Sequence, residues 1–250
     1  MEQPLFTIIT VTWNAAAVLE PTLESIRRQT CSDYELLLQD GASTDDTLEI
    51  AKRVSIASMR VFSEPDKGLY DAMNKGIARA RGRYLMFLNA GDTLADETVL
   101  ARLAVLAADE PGVIYGQTQL VNSRREVVGK RHLTAPKHLT AKSFLDGMVV
   151  CHQAFVARRD LAPQYDARYR YSADYDWCIR VLEQSPANAY AGDTPIISYL
   201  DEGLTTRHHH SSLWERYRIM CRHYGTRAAT LRHLTFIPRY IKRRMHGGKQ

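Results

Sequence analysis

The sequence predicts an α/β fold: a mostly parallel central sheet with flanking helices, in one domain, followed by a basic helical tail. Three observations carry this. Short β-branched or apolar runs alternate with helical patterns from residue 6 to residue 88, the rhythm of a parallel sheet covered on both faces. Its 250 residues, 45% of them hydrophobic and 24% charged, suffice for one well-buried core. The last forty or so residues change character, becoming strongly basic with apolar residues at helical spacing.

The elements follow in order. Residues 6–12 (FTIITVT) are a β-branched run, hence a strand. Val18, Leu19, Leu23 and Ile26 mark a helix in which Pro21 is expected near the first turn. A second strand covers 34–39, and the loop 40–45 offers Ser43 or Thr44 as cap for the next helix. A third strand covers 59–63, a helix 68–81 carries Leu69, Met73 and Ile77 on one face, and a fourth strand covers 83–88. Beyond residue 112 the rhythm changes. Strands are expected over 113–120 and 126–132 around a turn at 122–125, then a helix over 173–184 and a short strand over 196–200. Tail helices are expected over 213–223 and from about Arg227.

Composition narrows the function. No run approaches the ~18 apolar residues of a spanning helix, and the apolar N-terminal segment lacks the basic flank of a secretion signal. Cys31, Cys151, Cys178 and Cys221 are scattered without a C-x-x-C pair, which argues against a disulfide framework or zinc site and for a reducing compartment. The net charge of +5 is uneven: residues 213–250 hold ten Lys/Arg and one Glu, leaving 23 basic and 27 acidic residues elsewhere. Such a tail suits an anionic surface, membrane or nucleic acid.

In open parallel sheets ligands bind outside the carboxyl ends of the strands. Read in order, those ends are Asn14, Asp40, Asp66 and the segment 89–92 (NAGD). Any single Asp there simply closes a turn; three at equivalent ends point to a site. Clustered carboxylates repel one another unless a cation lies among them, and oxygen ligands favour Mg²⁺ or Mn²⁺. Neither a G-x-G-x-x-G nor a P-loop motif is present, which excludes the usual dinucleotide oxidoreductase and ATPase patterns.

Five segments in order resemble the family 2 glycosyltransferases of GT-A fold: 8–14 (IITVTWN), 39–46 (QDGASTDD), 64–76 (EPDKGLYDAMNKG), 84–92 (YLMFLNAGD) and 172–177 (SADYDW). The resemblance spans roughly residues 5–200 and is nearest the bacterial exopolysaccharide branch of colanic-acid type. It implies a glycosyltransferase domain over 1–210, with a nucleotide-sugar-binding half at 1–112 and an acceptor-binding half at 113–210, then the tail at 211–250. It implies that Asp40 accepts a hydrogen bond from the nucleotide base near Thr12 and Asn14. Asp66 would lie along the nucleoside, with Asp71, Asn74 and Lys75 on the helix behind. Asp92 would hold the metal, Mg²⁺ or Mn²⁺, against the donor diphosphate, and Asp174 would be the general base. One departure is that the usual Asp-x-Asp reads Asn89-x-x-Asp92. Asn89 is an oxygen ligand without charge, so the metal site looks thin.

Asp174 and Asp176 stand two apart at a helix start, so they face different ways; the acceptor side is expected to hold Asp176, His152 and Gln153. His152 suits an acceptor sugar, a donor phosphate, or a hydrogen-bonded place in the fold. His208, His209 and His210 follow a segment (203–207, GLTTR) resembling the family's mobile donor-side loop, and one of them could reach the metal or all could lie in solvent. Trp177 is expected to pack, while Trp13 is open between packing and sugar stacking. Leu231, Leu234, Ile237, Ile241 and Met245 among basic residues form an amphipathic tail suited to anionic lipid. The expected reaction moves a sugar, with inversion, from a UDP- or GDP-sugar to a hydroxyl of a saccharide acceptor, lipid-linked, at the cytoplasmic face of the plasma membrane. The rival readings are a sugar-phosphate nucleotidyltransferase, disfavoured because no glycine follows the first strand, and a non-catalytic nucleotide-sugar-binding protein. A nucleic-acid partner is not expected, since the basic charge is confined to the tail.

Overall fold

The computed structural model of the protein describes residues 3–201 and 209–234. The predicted alternation is present as β1 (Phe6–Thr12), α1 (Ala16–Arg27), β2 (Tyr34–Asp40), α2 (Thr47–Val54), β3 (Met59–Ser63), α3 (Leu69–Arg79) and β4 (Tyr84–Phe87). Every residue of β1 and β4 is buried. Helices cover both faces of these strands, which is why their sequences run apolar instead of alternating.

The second half contributes β5 (Thr93–Leu94), α4 (Val99–Ala107), β6 (Val113–Val121), β7 (Val127–Lys130), β8 (Phe155–Arg158), α5 (Ala173–Gln184), β9 (Asn188–Leu200) and α6 (His209–Tyr224). All nine strands join one sheet in the order β3-β2-β1-β4-β8-β6-β9-β5, with β7 paired to β6. The β3-β2-β1-β4 portion is parallel, β8 runs antiparallel between β4 and β6, and β6 and β9 are parallel. The α/β architecture with a largely parallel, helix-flanked sheet is therefore as the sequence predicts.

Register aligns the strand ends. Thr12 lies opposite Asp40, and Asp40 opposite Ser63. The carboxyl ends of β1, β2 and β3 thus form one edge, and Asn89 follows β4 on the same side. The opposite edge carries buried Glu35, whose carboxylate is bonded by Thr7 and by the Arg81 and Arg60 guanidiniums.

Several local expectations change. Pro21 sits well inside α1 and removes one helix hydrogen bond; burial of Leu19, Leu23 and Ile26 holds the helix regardless. Neither Ser43 nor Thr44 caps α2: Asp45 receives both the backbone N–H and the hydroxyl of Thr47, and Ser43 turns toward Asp40. β5 and α4 were not foreseen. β9 has 13 residues where only its last five read as strand, because its polar first half is defined by backbone pairing to β6 and carries no side-chain period. Residues 152–154 form a 3₁₀ turn that leads into β8.

The tail continues as helix over 226–234. It is fixed by Tyr217 Oη bonded to Thr230 Oγ1 at 2.9 Å and by an Arg232–Asp146 ion pair. Ile237, Ile241 and Met245 lie outside the described residues. No described helix is long and apolar enough to cross a membrane, and all four cysteines are free thiols.

Candidate active site

The two loops after β1 and β2 are tied into one preformed surface. Asn14, at φ 49°, accepts the Thr44 N–H on its side-chain oxygen at 2.9 Å, and its own N–H donates to Ser43 Oγ at 2.8 Å. Asp40 is the hub. It accepts from Thr12 Oγ1 (2.9 Å), Ser43 Oγ (2.5 Å), Ser43 N–H (2.9 Å) and Ser63 Oγ (2.7 Å). Burial alone would raise its pKa, but these bonds outweigh burial and hold it below the ordinary value. Four donors fill a carboxylate's acceptor positions. A base N–H at Asp40, as the resemblance implies, would therefore have to displace one of them. What this loop exposes is Trp13, 72% accessible.

Asp66 lies directly over Gly41. A Cβ on Gly41 would come within 2.4 Å of Asp66 Oδ2, so any larger residue there would push the Asp66 carboxylate out of its place. The other oxygen of Asp66 accepts the Gly68 N–H at 2.8 Å. Asp71 and Lys75 brace the same loop from α3: Asp71 accepts the Lys67 N–H at 3.0 Å, and Lys75 Nζ donates to the Pro65 carbonyl at 2.7 Å. Asn74 turns away, clamping the Tyr165 backbone with both ends of its amide (2.7 and 3.1 Å). Asp71, Asn74 and Lys75 thus position loops, and among the described residues none of the three lines the central cleft.

The loop after β4 differs most from expectation. Asp92 is 5% exposed, and each of its oxygens is engaged: Oδ1 by the Leu200 N–H at 3.0 Å, Oδ2 by Gln153 Nε2 at 2.6 Å. Burial pushes its pKa up to about 6 against those bonds and against the charge of Arg125. Gln153 is thereby a strut for Asp92, and it also lines the central cleft. Asn89 lines the cleft, while its Oδ1 is buried without a hydrogen-bond partner among the described residues. A Mg²⁺ site draws on one or two available carboxylates besides substrate phosphates. This loop offers one neutral oxygen and an engaged carboxyl group, and among the described residues no three His, Cys, Asp or Glu gather as metal ligands. Among the described residues, one buried carboxyl group and one neutral amide do not make up the Mg²⁺ or Mn²⁺ site expected at Asp92. The side chains of His208, His209 and His210 lie outside the described residues.

A cleft of about 550 Å³ opens beside this edge. Asn89, Leu69, Tyr70 and Met73 line one side; Asp174, Tyr171, Tyr199, Asp201 and Arg216 belong to the other half of the chain. Asp174, in the first turn of α5, accepts from Tyr70 Oη at 3.1 Å. Tyr70 is a residue the sequence reading missed, although it lies within the quoted segment 64–76. Burial and the Asp174 charge raise its pKa well above the ordinary value, so it remains a donor at neutral pH.

Asp176 takes the other direction. It is fully buried, bonded to Arg180 Nε at 2.6 Å and His223 Nε2 at 3.0 Å. Burial raises its pKa, but these partners outweigh burial and lower it. The expected acceptor-side role is corrected: Asp176 clasps α5 to α6.

Tyr70 and His152, which line the cleft, belong to a buried aromatic cluster. Tyr70 stacks on Tyr165 (5.4 Å), Tyr165 on Trp177 (5.2 Å) and His152 on Phe87 (4.9 Å). His152 Nε2 meets Tyr165 Oη at 2.5 Å. Burial drives its pKa down to about 4, so the ring is neutral at pH 7. It lines the cleft as a fixed neutral wall. Trp177 packs as expected, donating to the Pro163 carbonyl at 2.7 Å.

Known proteins resemble this chain in sequence and in fold. A PGL/p-HBAD biosynthesis glycosyltransferase of Mycobacterium bovis is 39% identical over 188 residues, 72% of this chain and 70% of the relative. A putative teichuronic acid biosynthesis glycosyltransferase of Bacillus subtilis is 34% identical over 93 residues, 36% of this chain and 37% of that protein. Among solved structures, residues 1–349 of S. aureus TarS superpose with a TM-score of 0.72 at 15% identity, covering 92% of this chain and 72% of that one. The same protein in complex with UDP-GlcNAc gives a TM-score of 0.72 at 17% identity, over 86% of this chain and 64% of that one. This likeness establishes the GT-A fold. The family model for glycosyl transferase family 2 matches residues 7–165, from β1 past β8 and through every strand-end loop described above; the chain belongs to glycosyl transferase family 2.

Proposed function

We propose that this glycosyltransferase moves a sugar from a UDP- or GDP-sugar to a saccharide hydroxyl, with inversion at the anomeric carbon, in bacterial surface polysaccharide assembly. One observation carries the reading: Asp174 lies in the same cleft as the strand-end residue Asn89, although the two come from opposite halves of the chain. The half at 1–112 would hold the nucleotide against the preformed loops of Asn14 and Asp66, with Trp13 stacking on the base. The half at 113–210 would present the acceptor to Asp174. Asp174 takes the hydroxyl proton as the acceptor oxygen bonds to the anomeric carbon. The bond from that carbon to the diphosphate breaks, and its electron pair leaves with the nucleoside diphosphate. The transition state has oxocarbenium character. Tyr70 positions Asp174 by donating to one of its oxygens.

Relatives in PGL/p-HBAD and teichuronic acid biosynthesis, and a fold neighbour in complex with UDP and with UDP-GlcNAc, support a nucleotide-sugar donor and a surface-glycan acceptor. We further place the chain in the cytoplasm, at the inner face of the plasma membrane, acting on a lipid-linked acceptor. Exposed Leu213, Trp214, Leu231 and Leu234 on the helices beside the cleft support docking there. The test is Asp174→Asn. Turnover should vanish while nucleotide diphosphate binding persists, and NMR of the wild-type product should show the inverted anomer. Near-normal transfer by the variant would remove Asp174 from the reaction.

A further inference from the structure

Family 2 glycosyltransferases generally use a divalent cation, yet the loop after β4 already has a cation of its own. Arg125, in the turn between β6 and β7, donates from Nη1 to the Gly91 carbonyl at 2.5 Å, and its charge acts on Asp92. It does so from φ 65°, a left-handed conformation that costs a long side chain energy and persists only where contacts hold it. A guanidinium thus stands behind the loop, and a second cation there would meet its repulsion.

The cleft wall shows where positive charge faces a ligand. Lys130, Arg131, Arg170 and Arg216 line it, against the carboxylates of Asp174 and Asp201. Three of the four are held in place. Arg131 donates from Nη2 to the Met148 carbonyl at 3.2 Å. Arg170 lies over the Tyr171 ring at 5.6 Å, and Arg216 over Tyr175 at 5.9 Å. Arg216 Nε is buried with no hydrogen-bond partner among the described residues. Leaving a charged donor buried and unmatched is costly, and the cost is recovered when an anionic acceptor arrives.

We propose that Arg131, Arg170 and Arg216 form a diphosphate subsite that takes over the charge role of a divalent cation, so that donor binding and transfer proceed without one. The proposal rests on reading the chain as a nucleotide-sugar transferase. As the anomeric carbon–oxygen bond breaks, its electron pair passes to the terminal phosphate oxygen of the leaving nucleoside diphosphate. Planar guanidinium groups suit that growing charge, because each can offer paired N–H donors to phosphate oxygens.

The experiment is calorimetric titration of the full chain with UDP and with GDP, in excess EDTA and then in Mg²⁺ or Mn²⁺. The preferred nucleotide should bind with Kd values within about threefold of each other in the two conditions, a difference under ~0.7 kcal/mol. Arg216→Gln and Arg131→Gln should each weaken the diphosphate about tenfold or more, the scale of a lost charged hydrogen bond. Binding of the bare nucleoside should be unchanged, which rules out a variant that has merely unfolded. A tenfold or greater loss in EDTA would overturn the subsite while leaving the transferase reading intact. Equal weakening of nucleoside and diphosphate by the Arg variants would also overturn it. Failure of UDP and GDP to bind under every condition would overturn both.

Discussion

Tyr70 Oη donates to Asp174 Oδ1 at 3.1 Å, joining residues 104 positions apart. Tyr70 belongs to α3 in the first half of the chain, Asp174 to α5 in the second. The bond therefore crosses the cleft in which the proposed chemistry occurs. It also links Asp174 to an aromatic stack, since Tyr70 stacks on Tyr165 and Tyr165 on Trp177.

Tyr70→Phe keeps the stack and removes only the donor. Transfer should fall roughly 10- to 100-fold, the worth of a hydrogen bond to a charged acceptor. Thermal stability and nucleotide diphosphate affinity should hardly change. Steady-state kinetics beside a melting curve check this; unchanged kcat would detach Tyr70 from the base.

Asp176→Ala separates the two aspartates of α5. It leaves Arg180 and His223 without their buried partner, and loss of one member of a buried pair costs about 3–5 kcal/mol. The melting temperature should drop sharply while turnover per folded molecule is retained. A stable but inactive variant would return Asp176 to the acceptor side.

His152 gives a pH dependence with a defined sign. Its folded pKa is depressed from 6.5 to about 4. Between those values the unfolded chain binds the proton more readily, so stability present above pH 6.5 is lost as pH falls toward 4. His223 has the opposite sign. Burial lowers its pKa, but Asp176 and Glu183 outweigh burial and raise it. Its contribution is fully present below the unfolded value and is lost as pH rises through the folded one. Urea midpoints across pH 4–7 should fall less steeply for His152→Gln than for wild type; identical slopes would show that the ring is not the titrating group.

Membrane docking is checked by sedimentation with anionic vesicles. The full chain should bind and be released by salt, because Lys and Arg near an anionic surface act through a screened field. A chain ending at residue 234 keeps the helix fixed by Tyr217 and Thr230 but lacks five of the basic residues, and it should lose most of the binding. Equal binding by the shorter chain would move the docking surface to the body.

The sequence by itself determined the alternation, the parallel order of the first strands and the edge on which they end. Those features are local: β-branched runs report burial on two faces, and each strand's last residues sit next to it in the chain. It also carried the family's segments. The tertiary structure decided which carboxylates are available. Asp40 and Asp92 stand at strand ends as predicted, but Ser43, Ser63, Gln153 and Leu200 close them off, and the Gln153 contact comes from 61 residues away. Asp174 and Asp176 are equivalent in sequence, two charges in the first turn of one helix. Only the packing of α6, which brings His223 to Asp176, and of α3, which brings Tyr70 to Asp174, assigns one to the fold and the other to the cleft. No local pattern encodes that choice, because it depends on partners that folding alone brings into reach.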